Sequence, residues 1–260
     1  MDQIPHVLAC DVGSSAVHLA HVQGETVGPM QTVRTSELAS LGGKLAKLWQ
    51  DIPSPKKLVA GSVNAAAMKS LKAAADELLH EPVLVVGQDL PLPMDIDLDE
   101  PAAVGTDRLC CAVAAFDRLG AACVVADFGT AVTIDCVSNE GVFLGGAIMP
   151  GLAMGAESLN TGTDRLPRVK LSRPAWVFGK NTQQAIVGGL VCGARGALRE
   201  LTEAYATELG HWPAVILTGG DAKLICPDPS TCQLVQAVVP DLAVRGIAIA
   251  YYKTLLKNDE

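Results

Sequence analysis

Apolar residues fall along this chain in two rhythms: short dense runs, and longer stretches with a single apolar face. Dense runs at residues 6–11 and 16–22 predict two strands joined by a short turn. Gly24 and Gly28 punctuate the segment after them. Between residues 36 and 50, Leu38, Leu41, Leu45 and Leu48 recur at helical spacing, interrupted by Gly42-Gly43. Residues 57–61 read as a buried strand, and Asn64 can cap the helix after it. That helix gathers Met68, Leu71, Ala75, Leu78 and Leu79 on one face. A further strand is predicted at 82–86, then a Pro- and Asp-rich loop over 91–100. Beyond Gly105 the pattern is helical to about Leu119, with Gly120 as its stop.

The rhythm then restarts. Strands at 123–127, 131–137 and 141–149 form an expected antiparallel meander, ended by Pro150-Gly151 before a helix. A loop containing Leu166-Pro167 leads to a long helix from Asn181 or Thr182 toward Gly210. Its glycines at 188, 189, 193 and 196 point to close packing against another element. A buried strand at 214–217 runs into Thr218-Gly219-Gly220, and residues 241–257 form a last helix. Each half shows strands first and helices after, which divides the chain into lobes at 1–120 and 121–260.

The most informative stretch is Val124 to Thr133, where an apolar run leads into Asp127, then Gly129 and Thr130, and a β-branched run returns. A strand, a tight glycine turn and a returning strand would offer backbone N–H groups and a hydroxyl to a phosphate, with a carboxylate at the strand end. A weaker copy lies at Val7 to Ser15, with Asp11, Gly13, Ser14 and Ser15. A third glycine turn, Thr218-Gly219-Gly220, lets a flat ring or a ribose approach the backbone. Three such turns imply a nucleotide cleft between two similar lobes.

Composition narrows the function classes. With 260 residues, 49% of them hydrophobic, the chain can bury a large core. The net charge is −8 and no Lys/Arg run stands out, so nucleic acid is not an expected partner. Gly, Asp or Arg breaks every apolar run before the length of about 20 residues that spans a membrane. The first residues lack the basic region of a signal peptide. Eight cysteines without a C-x-x-C pair read as buried thiols in a reducing cytoplasm.

The order Asp11–Gly13, Gly105–Arg108, Asp127–Asp135, Gly145–Gly151, Thr163–Pro167, Gly179–Thr182 and Thr218–Gly220 resembles the type III pantothenate kinases. Those belong to the superfamily of acetate and sugar kinases, heat-shock chaperones and actin. The resemblance implies an α/β fold of two ribonuclease H-like (actin-like ATPase) lobes with the nucleotide between them. It implies phosphorylation of pantothenate by ATP with Mg2+, the first step toward coenzyme A, and a homodimer in the cytoplasm.

The implied roles carry over by position. Asp107 matches the general base that accepts the pantothenate hydroxyl proton. A carboxylate is a weak base, but in phosphoryl transfer the proton leaves late and positioning dominates. Gly105, Thr106, Asp107 and Arg108 match the pantothenate-binding segment, and Thr182 another substrate contact. Asp11, Val12, Gly13, Ser14, Ser15, Ala16, Val17 and His18 match the first phosphate loop, and Thr130 an ATP contact. Asp127 matches the ligand of a monovalent cation, K+ or NH4+.

Departures cluster in the first lobe. Ser14-Ser15 stands where the family has Asn-Thr, which removes one side-chain amide. His18 replaces another polar or basic residue and reads as a strand histidine facing solvent. No aromatic residue occurs over 95–104, and Cys110 and Cys111 read as packing residues. These departures motivate two rival readings: a non-catalytic nucleotide-binding regulator, or a kinase of another small hydroxy acid.

Overall fold

A computed structural model describes residues 4–258. The chain forms two compact units, one reaching to Arg118 and resuming at Asp241, the other spanning Leu119–Pro240.

The first unit is built on β1 (His6–Val12), in which every residue but Asp11 is buried. β1 pairs antiparallel with β2 (Ala16–Gln23) and parallel with β5 (Lys56–Ser62). A strand with a neighbour on each side and helices over both faces needs an almost continuous apolar run, and Val7 to Cys10 supply it. β2 also pairs with β3 (Thr26–Val27) and β4 (Gln31–Arg34), and β5 with β6 (Val83–Val85). The order is β3-β2-β1-β5-β6.

Side chains alternate across the sheet. Leu8, Cys10, Val12, Val17 and Leu19 pack with Leu41 and Leu45 of α1 (Leu41–Asp51) and with Met68 and Leu71 of α2 (Ala65–Leu79). Val7, Ala9, Ala20 and Val22 on the other face meet Val244, Ile247, Ala248 and Tyr251 of α7 (Leu242–Asn258).

This last contact corrects the expected division. The sequence places the final helix with the second lobe, whereas the structure packs it in the first unit. The reason is local. α7 crosses α3 (Thr106–Leu119) so closely that a Cβ on Gly246 would lie 1.9 Å from the Cys110 carbonyl oxygen. Lys253 reaches Asp117 at 3.1 Å, and the Tyr252 hydroxyl donates to the Val22 carbonyl at 3.1 Å.

The expected helix over 36–50 is divided. Residues Thr35–Ser40 form a 3-10 helix, and the α-helix starts at Leu41. The expected loop over 91–100 holds a two-residue strand, β7 (Asp95–Ile96).

The second unit repeats the ladder. β8 (Cys123–Phe128) pairs antiparallel with β9 (Ala131–Val137), which pairs with β10 (Val142–Pro150). On its other side β8 runs parallel to β11 (Ala214–Thr218), and β11 to β12 (Ala237–Val238). In each unit, therefore, an antiparallel hairpin comes first and parallel strands join beside its opening strand.

α4 (Leu152–Thr161), the 28-residue α5 (Thr182–Leu209) and the short α6 (Ala222–Ile225) complete the unit. Val187, Val191 and Leu198 of α5 pack on Val124, Ala126 and Ile134 of the sheet. Among the described residues no helix is long and apolar enough to cross a membrane.

Candidate active site

In the first unit, β1 delivers Asp11 to the end of the sheet. Its register partners are His18 on β2 and Gly61 on β5, so the three positions share one face. A Cβ on Gly61 would lie 3.4 Å from the Thr106 methyl and 3.2 Å from Ile247. The bare glycine thus lets the start of α3 settle over the end of β5. That places Thr106 and Asp107 on the face that carries Asp11. The Cys110 thiol, one turn along α3, registers both carboxylates: burial raises its pKa first, and the negative charges of Asp11 and Asp107 raise it further.

Asp107 occupies the first turn of α3. Its Oδ1 accepts the Arg108 main-chain N–H at 2.8 Å and lies 2.5 Å from where a Cβ on Gly105 would sit. A carboxylate in a first helical turn is favoured by the helix dipole and is held against its own backbone. The Asp107 carboxylate thus folds back on the Gly105–Arg108 segment and forms a corner with it.

Residues 13–15 form the turn between β1 and β2, closed by the Gly13 N–H donating to the Ala16 carbonyl at 2.9 Å. Ala16 and Val17 open β2, with Val17 buried and paired to Val12. His18 is less open to solvent than the sequence suggests. It is half-buried, its Nδ1 lies 3.0 Å from Thr32 Oγ1 on β4, and burial lowers its pKa.

In the second unit, Asp127 is the last residue but one of β8, with Thr133 on β9 and Thr218 on β11 as its register partners. Its carboxylate is cradled by glycines. A Cβ on Gly129 would lie 3.3 Å from Asp127 Oδ1, and one on Gly219 would lie 2.2 Å from it. The third glycine turn is tied to the second through Asp221, whose N–H donates to the Phe128 carbonyl at 2.9 Å. Thr130 stands in the turn between β8 and β9, and the Gly151 N–H at the start of α4 donates to its carbonyl at 3.2 Å.

Thr182 is the first residue of α5 and is exposed; Asn181 is the cap, accepting the Gln184 N–H at 2.9 Å. Within the first unit, then, the fold brings Asp11, His18 and the Gly105–Arg108 corner together. Within the second it brings Asp127, Thr130 and the Gly219 turn together.

Two residues at the first turn escape the sequence reading as partners of the site. Thr35 donates both its N–H and its hydroxyl to the Ser15 carbonyl, at 2.9 and 3.1 Å. Asn64 caps α2 as expected, and its amide also reaches the Gly13 and Ser14 carbonyls. The Asn64 cap was legible; its second role lies 50 residues away along the chain and has no local pattern.

Comparison with known proteins decides the family. Residues 7–204 match the model of type III pantothenate kinases. The chain belongs to that family. A type III pantothenate kinase of Dehalococcoides mccartyi is 32% identical over 252 residues, covering 94% of this chain and 96% of the relative. Among solved structures, a conserved Baf-family protein of Campylobacter jejuni covers 96% of this chain and 99% of its own, with TM-score 0.59 and 20% identity. MreB5 of Spiroplasma citri, solved with ADP, covers 99% and 98% at TM-score 0.51 and 10% identity. These two likenesses establish an actin-like fold of two α/β lobes.

Proposed function

We propose that this protein transfers the γ-phosphoryl group of ATP to the hydroxyl of pantothenate, giving 4'-phosphopantothenate, the first step of coenzyme A biosynthesis. Membership of the type III pantothenate kinases supports the reaction. The observation that carries the site is the Gly105–Arg108 corner, which fixes Asp107 on the same face as the Asp11 strand end.

In this reading Asp107 accepts the proton of the attacking hydroxyl. Its main task is to hold that oxygen in line with the phosphorus, since orientation can supply roughly 7–11 kcal/mol of such a barrier. Gly105, Thr106, Arg108 and Thr182 contact pantothenate. The start of α5, at Thr182, suits its carboxylate. The 11–18 segment and Thr130 contact the phosphates of ATP.

Mg2+ travels with ATP and neutralises charge on its phosphates. Asp11, half-buried at a strand end, fits the hydrated sphere that Mg2+ keeps when one or two carboxylates hold it. Asp127 fits a monovalent cation, K+ or NH4+. Its carboxylate is a hard oxygen donor set in a cradle that a Cβ at Gly219 would fill. The ion would add positive charge beside the phosphates. The family reading also carries a homodimer and a cytoplasmic setting.

Asp107→Asn tests the base assignment. The amide keeps the size of the side chain and cannot take the proton. The expected result is a loss of about 10²–10⁴ in kcat with KM values little changed. A variant as fast as the parent removes the base role from Asp107.

A further inference from the structure

The first turn is held from behind. Asn64 Nδ2 donates to the Gly13 and Ser14 carbonyls at 3.5 and 3.4 Å, a long contact shared between two acceptors. Its Oδ1 accepts the Ala67 N–H at 3.1 Å and caps α2. The residue is itself fixed: its N–H donates to Ser62 Oγ at 3.1 Å, and that hydroxyl donates back to its carbonyl at 3.2 Å. Next to it, the Val63 N–H donates to the Val12 carbonyl at 3.1 Å. With Thr35 on the Ser15 carbonyl, three successive carbonyls of the turn are bound to donors set by other elements.

Peptide planarity turns this into a statement about the amides. In a trans peptide the carbonyl of one residue and the N–H of the next point in opposite directions. Holding the Gly13 and Ser14 carbonyls toward Asn64 therefore aims the Ser14 and Ser15 N–H groups the other way. Successive amides aimed alike form a concavity suited to a phosphate oxygen. In the second unit one main-chain donor acts in this way: the Gly151 N–H donates to the Thr130 carbonyl at 3.2 Å. The Gly129 carbonyl oxygen also faces Gly151, 2.4 Å from where a Cβ would sit.

We propose that Asn64 is a positioning residue for ATP, one that sets the amide directions of the turn at residues 13–15. It reaches the turn from the junction of β5 and α2, on the side of the carbonyls. The proposal rests on reading this turn as a phosphate turn, and Asn64 acts through the turn.

Two variants separate this role from capping. Asn64→Asp keeps a cap of equal quality and replaces the amide donor by an acceptor facing two carbonyls. Asn64→Ser keeps a capping hydroxyl and removes the amide. With Mg2+ present, both should raise the KM for ATP by about three- to tenfold, the Asp variant more. The KM for pantothenate should hold, and Tm should stay within about 2 °C of the parent. An unchanged KM for ATP in folded variants overturns the proposal. So does a lowered Tm with both KM values moving together, which a general loosening of the fold would give.

If the parent transfers no phosphate to pantothenate, the reading of the reaction fails separately, and titration of the proteins with Mg2+ and ATP decides on Asn64. A Kd three- to tenfold weaker in the variants supports it. An equal Kd, or a parent that binds no ATP, overturns it.

Discussion

At Gly219 the backbone takes φ +90°, and a Cβ there would sit 2.2 Å from Asp127 Oδ1 and 2.5 Å from the Phe128 carbonyl carbon. Both the torsion and the space demand glycine. Gly219→Ala should cost about 3 kcal/mol, read as a fall in Tm, and should weaken ATP binding by displacing the Asp127 carboxylate. Gly43→Ala, within α1 and with nothing inside 4 Å of its Cβ position, should instead raise Tm slightly. A Gly219→Ala protein as stable as the parent would contradict the described turn.

The sequence shows that Gly219 ends a strand, because Val215, Ile216 and Leu217 form a buried run into Thr218-Gly219-Gly220. It does not show the carboxylate behind it, since Asp127 lies 92 residues earlier and meets Gly219 only through the β8–β11 register. Asp11 and Asp127 were legible as candidates because each follows an apolar run and precedes a glycine turn, and Asp107 through the resemblance of Gly105–Arg108 to the family's segment. Thr35 and Asn64 were not legible as partners of the first turn, because nothing local to either residue marks a carbonyl on a distant segment.

At the scale of elements, the β1–β2 hairpin carries a pH dependence. His6 on β1 is buried, and its Nδ1 lies 2.8 Å from Nε2 of His21 on β2. Burial lowers the pKa of His21, and the neighbouring His6 lowers it further; burial alone lowers that of His18 on the same strand. A histidine whose pKa falls on folding binds its proton more readily in the unfolded chain. Stability is therefore level above the ordinary histidine value near 6.5 and declines as pH falls through the native values. Thermal melts should show Tm falling between pH 7 and pH 5.5, with a shallower slope in His21→Gln. Equal slopes would place the titration elsewhere.

The strands of this hairpin were legible because their apolar runs are dense. β3, β4 and β12 were not, since segments of two to four residues have no period to read. The helix expected over 36–50 began late for a physical reason as well: Glu37 leaves the helical region at φ −126°, ψ 26°, so the first residues close a 3-10 segment instead.

At the scale of the molecule, the chain builds one ladder twice. β1, β2 and β5 in the first unit correspond to β8, β9 and β11 in the second, with an aspartate at the end of each opening strand. That repetition was visible in the two Asp–Gly turns. The return of the last helix to the first unit was not, because its apolar pattern states that it is buried and not against which sheet. Only the fit of Gly246 over Cys110 and the cluster of Val244, Ile247 and Ala248 on β1 decide it.

Phosphate transfer from ATP to pantothenate, with Mg2+, in KCl and in NaCl of equal ionic strength, tests the central claim most directly. The account predicts 4'-phosphopantothenate in both salts and a faster rate in potassium, through Asp127. Folded protein that binds ATP and forms no product in either salt would contradict it, and would leave a nucleotide-binding regulator or a kinase of another acceptor in its place.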